Sequence, residues 1–141
     1  MATALAFDFG ERRIGVAFAN RLTGSSTALT TLATRDPEQL QLSLRDLFRE
    51  WEPDAIVIGV PYNMDGSESQ MTTAAIDFAQ RLAEQFARPV EEVDERLTSS
   101  EASAILRAQR KSGQRRRKIR SGDVDSVAAQ LIGESWARSE R

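Results

Sequence analysis

Residues 5–20 read LAFDFGERRIGVAFAN, two apolar runs joined at Gly10-Glu11-Arg12. Thr3 to Phe9 and Arg13 to Asn20 each have the apolar and aromatic density of a strand, and a short Gly-containing connection between them predicts a hairpin. One carboxylate, Asp8, stands inside the first run, two residues before the Gly10 that interrupts it. Ser26 to Thr34 (STALTTLAT) is Thr-rich and alternates loosely, the pattern of a strand nearer a sheet edge. Three consecutive antiparallel strands therefore open the fold.

Beyond Asp36-Pro37, the spacing of Leu40, Leu44, Leu47, Phe48 and Trp51 predicts an amphipathic helix, ended by Pro53. AIVIGV (Ala55 to Val60) is a continuous apolar run, expected for a strand covered on both faces and parallel to the first. PYNMDGSES (Pro61 to Ser69) is turn-forming. Met71, Ala75, Phe78, Ala79, Leu82 and Phe86 again have helical spacing, and a short strand, Pro89 to Val93, follows. Thr98 or Ser99 can cap a helix through Glu101 and Leu106. Ser121 can cap a last helix with the stripe Val124, Val127, Ala128, Leu131, Ile132 and Trp136. The order βββ-α-β-α-β-α-α implies an α/β fold: a mixed five-stranded sheet, order 3-2-1-4-5, with strand 2 antiparallel and right-handed crossovers placing helices on both faces.

A chain of 141 residues supports one sizeable core, so one domain over 1–141 is expected. No run approaches the roughly 20 apolar residues of a membrane span, and no basic segment leads a secretory apolar region, so a soluble, unexported protein is expected. With neither Cys nor His there is no thiolate nucleophile, no imidazole base and none of the usual zinc ligands. Catalysis must run on carboxylates, Lys, hydroxyls or bound metal, and the lack of Cys fits a reducing cytoplasm. The 19 Lys plus Arg against 21 Asp plus Glu exclude a uniformly basic nucleic-acid binder. Yet Arg107, Arg110, Lys111, Arg115, Arg116, Arg117, Lys118 and Arg120 lie together with no acidic residue among them, a local phosphate-binding patch.

Asp8, Glu95 and Asp125 stand at element boundaries in apolar company. Strands one, four and five of the expected sheet run side by side and parallel, so Asp8 and Glu95 emerge at the carboxyl-terminal edge where open α/β sheets place ligands. Asp125 joins them if the last helix starts over the same edge. Clustered carboxylates repel one another, so one stays protonated unless a cation intervenes, and oxygen-only ligands favour Mg²⁺ or Mn²⁺. Spacing alone leaves Asp123 as an alternative to Asp125, and Glu91, Glu92 and Asp94 as alternatives to Glu95.

DFGERRIGVAFAN (Asp8 to Asn20), IVIGVPYNMDGSES (Ile56 to Ser69), VDERLTSSEA (Val93 to Ala102) and GDVDSVAAQLI (Gly122 to Ile132) closely resemble the YqgF (RuvX-like) family of RNase H-fold proteins. That family is described as nucleases of precursor 16S ribosomal RNA and, earlier, as Holliday junction resolvases. The resemblance spans nearly the whole chain and selects Asp8, Glu95 and Asp125 as catalytic, metal-binding carboxylates. It implies an RNase H-like, Mg²⁺- or Mn²⁺-dependent endonuclease leaving 5′-phosphate and 3′-hydroxyl ends, acting on the 5′ end of 16S rRNA. Departures are small: Val60 and Tyr62 stand where Leu and a smaller or aliphatic residue are expected, and Ser99-Ser100 replaces a more usual Thr pair. Arg110, Lys111, Arg115, Arg116, Arg117, Lys118, Arg120 and Asn63 are the candidate nucleic-acid contacts; Tyr62 is read as packed at the base of its loop.

Partners are therefore precursor rRNA or branched DNA, with the ribosome a further candidate, no membrane, and a monomer or homodimer. A non-catalytic rRNA-binding assembly factor is the reading from another class. Asp8-Phe9-Gly10 invites a protein-kinase reading, but there is no HRD-type catalytic loop, no Gly-rich loop ahead of it and no length for two lobes. An actin-like ATPase likewise needs two lobes.

Overall fold

The computed structural model describes residues 2–95 and 121–139, with 121–124 as helix backbone only. The strands are β1 (Thr3–Phe9), β2 (Arg13–Asn20), β3 (Ser25–Ala33), β4 (Ala55–Val60) and β5 (Val90–Asp94); the helices are α1 (Pro37–Trp51), α2 (Gln70–Phe86) and α3 (Ser121–Arg138). They build one sheet in the order β3-β2-β1-β4-β5. β2 is antiparallel to β1 and β3, whereas β1, β4 and β5 are mutually parallel. This is the expected topology. β5 begins one residue later than the spacing predicts, because Pro89 has no N–H for the ladder, although its carbonyl accepts from Ile56 N at 2.8 Å. The expected helix through Glu101 and Leu106, with its Thr98 or Ser99 cap, lies outside the described residues.

The period-two alternation of β1 gives the sheet two unlike faces. Leu5 and Phe7 join Ile14, Val16, Ile56, Ile58 and Val60 under α1 and α2, whose Leu44, Phe48, Ala75, Ala79 and Leu82 close the core. Phe7 stacks with Phe48 (6.4 Å between centroids) and meets Phe78 edge-on at 5.7 Å. The opposite face is paved with small residues, Ala4, Ala6, Ala17, Ala19, Ala55 and Val57, beneath α3.

Small residues let α3 lie close, which selects its inward stripe. Ala128, Ala129, Ile132, Gly133, Trp136 and Ala137 are buried, while Val127 and Leu131 of the predicted stripe are only half-buried. The helix turns its smallest residues inward: a Cβ on Gly133 would meet Ser26 Oγ at 2.3 Å. Trp136 closes the far end of this face, its indole N–H donating to Glu91 Oε2 at 2.8 Å beneath the Arg21 guanidinium, 3.9 Å from the ring centroid.

Local signals set the helix ends. Asp36 caps α1 by accepting from Glu38 N and Gln39 N, and Glu52 ends it at φ 43° before Pro53. Ser69 and Thr72 form a reciprocal capping box on α2, and the buried Thr72 hydroxyl also donates to Pro61 O at 2.6 Å. Among the described residues no helix is long and apolar enough to cross a membrane.

Candidate active site

Asp8 sits near the carboxyl end of the central strand, where its ladder partners are both glycine: Gly15 on β2 and Gly59 on β4. Paired residues share a face, so the carboxylate stands between two positions without side chains, on the face that α3 covers. Each gap is used. A Cβ on Gly15 would come within 2.0 Å of the Asp125 carbonyl oxygen, so α3 starts directly on β2. A Cβ on Gly59 would meet Ile132 Cδ1 at 2.2 Å and lie 3.7 Å from Glu95 Cδ, so Glu95, just beyond β5, occupies the space above β4. Glu95 is only 8% exposed.

Asp8 and Glu95 are hydrogen-bonded side chain to side chain. Burial, then the bond to Glu95 and its charge, then the more distant Asp125, push the Asp8 carboxyl up to about 10, so at neutral pH its O–H donates to the Glu95 carboxylate. Glu95 is also raised, first by burial and further by Asp125, while the bond from Asp8 acts in the opposite direction. Metal-free, the pair therefore holds one proton between two carboxylates, the outcome that clustering predicts.

Asp125 completes the group less tightly. Its charge bears on both other carboxylates, but its Oδ2 accepts from Arg13 Nε at 3.0 Å, with the two side chains 24% and 44% exposed. Among the described residues no three acidic side chains form a finished metal cage. The donor set itself suits a hard divalent cation: adjacent carboxylate oxygens on rigid elements, with a third carboxylate nearby.

Asn63 lies in the loop after β4 at the same sheet edge, and its amide serves the loop: Asn63 Nδ2 donates to Ser67 Oγ at 3.0 Å, and Gly66 N, at φ 87°, donates to Asn63 O at 2.8 Å. Tyr62 packs at the loop base and donates to Glu92 Oε1 at 3.2 Å. Arg110, Lys111, Arg115, Arg116, Arg117, Lys118 and Arg120 lie outside the described residues. Sequence reasoning missed Arg13, Gly15 and Gly59. A glycine inside a strand is itself a sign of close backbone or side-chain approach, and Gly15 and Gly59 carry that sign in RIGVA and IVIGV.

Residues 2–139 match the family described as RuvX: Holliday junction resolvase. A relative from Chromohalobacter salexigens, named "Putative pre-16S rRNA nuclease", is 47% identical over 134 residues, covering 94% of this chain and 86% of its own. One of the same name from Dechloromonas aromatica is 41% identical, covering 99% and 92%. Among solved structures, RuvC of T. thermophilus in complex with a Holliday junction substrate superposes with a TM-score of 0.62 at 13% identity, covering 98% of this chain and 96% of that one. A Fowlpox virus resolvase bound to Holliday junction DNA gives 0.58 at 7% identity, covering 97% and 99%. At such identities these two structures establish the fold, the RNase H-like architecture of resolvases.

Proposed function

The chain belongs to the RuvX family, and from that premise we propose that it is a divalent-metal-dependent endonuclease that hydrolyses phosphodiester bonds in structured nucleic acid, processing the 5′ end of precursor 16S rRNA. The observation that carries this reading is the contact of Asp8 with Glu95 between Gly15 and Gly59, at the edge where α3 delivers Asp125. A bound Mg²⁺ or Mn²⁺ would supply Lewis-acid stabilisation of the phosphoryl oxygens and a more acidic attacking water. Asp8, Glu95 and Asp125 are the residues that would hold it.

The chain's own residues account for the rest. Asp8 and Glu95 would have to release their shared proton to serve as ligands, and their position on β1 and just beyond β5 fixes where their side chains start. The water oxygen loses a proton as it bonds to phosphorus, the bond from phosphorus to O3′ breaks, and O3′ takes a proton, leaving 5′-phosphate and 3′-hydroxyl ends. With no imidazole in the chain, proton transfer falls to carboxylates and solvent. Arg110, Lys111, Arg115, Arg116, Arg117, Lys118 and Arg120, with Asn63, are proposed to hold the backbone. The reading places the protein in the cytoplasm, with precursor rRNA and the assembling ribosome.

The test compares wild type with Asp8→Asn on a precursor 16S rRNA fragment and on a four-way DNA junction, at fixed salt with Mg²⁺ or Mn²⁺, after both proteins are shown to fold. Cleavage of the RNA by wild type alone supports the proposal. Equal activity of the two proteins sinks the mechanism, and preferential cutting of the junction assigns branched DNA as the substrate. If Asp8→Asn retains biological function while alanines at Arg115 to Lys118 abolish it, the protein is a binding factor.

A further inference from the structure

Beside the carboxylates, on the β3 side of the same sheet edge, lies a groove of about 700 Å³ lined by Glu11, Arg12, Arg13, Ala33, Thr34 and Arg35. The β1–β2 turn and the end of β3 build it together, joined where Thr34 N donates to Arg12 O at 3.0 Å and the Thr34 hydroxyl donates to Glu11 O. Three arginines line one concavity, and all three are exposed. Arg13 is held by Asp125. Arg12 and Arg35 make no ion pair with any described residue, and Glu11 is the one acidic residue among the lining.

From this arrangement we infer that the groove of Arg12, Arg13 and Arg35 is a second phosphate-binding surface, which seats the nucleic-acid backbone on the β3 side of the scissile bond. It is separate from the basic stretch of residues 107–120, and the inference rests on the nuclease reading above. A chain of net charge −2 that brings a polyanion to three carboxylates needs local cations to offset the repulsion. Planar guanidinium forks match phosphate oxygens. Strands in a sheet are spaced about 4.8 Å, so β3 lies roughly 10 Å from β1, about three base steps along a duplex axis. The backbone can thus span from the carboxylates to the groove. Arg13 stands between the two, bonded to Asp125 and lining the groove.

The experiment uses the full chain carrying Asp8→Asn, so that bound RNA is not cut, and measures binding of a labelled precursor 16S rRNA fragment across a salt series. The parent is compared with Arg12→Ala plus Arg35→Ala, and with the charge-matched control Arg49→Ala plus Arg81→Ala, two helix residues paired with Asp46 at 3.6 Å and Asp77 at 2.9 Å. Removing two phosphate contacts should flatten the slope of log affinity against log salt by about 1.4 for single-stranded and 1.8 for duplex sites. Melting temperature should not change, and the control should retain the parent's slope. An unchanged slope in the double variant overturns the inference, as does an equal loss in the control. A parent with no salt-dependent binding overturns the nuclease reading and this inference together.

Discussion

Replacing Asp8 with Asn should make the metal-free protein less sensitive to alkali, the direction expected when burial holds a carboxyl protonated. In the folded protein Asp8 is raised to about 10 from an ordinary value of 3.8, and Glu95 is raised as well. A carboxyl raised by folding contributes stability that is complete below its unfolded value and is lost as pH climbs toward its folded one. Across pH 5.5 to 7.0 the unfolded chain has released both protons while the folded pair keeps at least one, so stability falls by about 1.4 kcal/mol per pH unit. Over that window the loss is about 2 kcal/mol, or a fall in melting temperature of roughly 6 to 8 °C for a domain of this size. The chain has no His, so no ordinary side chain titrates there to obscure the slope. The asparagine amide does not titrate and can still donate to Glu95, so less than half of the slope should survive. Guanidinium unfolding in EDTA, followed by Trp fluorescence at several pH values, measures both proteins. Wild-type stability that is flat or rises between pH 5.5 and 7.0, or an equal fall in Asp8→Asn, would refute the shared proton.

The two glycines beside Asp8 should respond unequally. Gly15→Ala drives a Cβ against the Asp125 carbonyl, a backbone atom, and should cost about 3 kcal/mol in denaturant titration, whereas Gly59→Ala meets the movable tip of Ile132 and should cost about 1 kcal/mol. Thr72→Val removes the hydroxyl that closes the α2 capping box and bonds Pro61 O; an unfolding free energy lower by about 1 to 3 kcal/mol is expected. Trp136→Phe takes away the indole donor to Glu91 and should cost about 1 to 2 kcal/mol by the same measurement.

Much of the sheet is legible in the sequence because strands state themselves locally. Thr3–Phe9 ends at Gly10, Ala55–Val60 lies between Asp54 and Pro61, Arg13–Asn20 is an apolar run between polar residues, and the expected strand order follows from connection lengths. β3, polar and at the edge, starts one residue earlier than its Thr pattern suggests, since its register answers to β2, including a bulge at Val16/Ala17. The stripe of α3 is displaced for a related reason: bulk in the sequence points to Val127 and Leu131, but an Ala-paved sheet favours helix residues that fit closely. Asp8 is visible as a charge in an apolar strand. Its contact with Glu95 and the bond between Arg13 and Asp125 are not, since the latter spans 112 residues and depends on glycine gaps contributed by two other strands.

The seating of Asp125 on Gly15 also bears on how the molecule acquires competence. The β1–β2 hairpin is local and can form early, but α3 must close a very long loop before its first turn rests on β2, and such distant contacts form slowly. Asp8 waits on the hairpin, Glu95 on two parallel crossovers and Asp125 on that final docking. The three carboxylates can therefore meet only when the whole architecture is assembled, so a partly folded chain lacks the complete cluster on which the proposed hydrolysis depends.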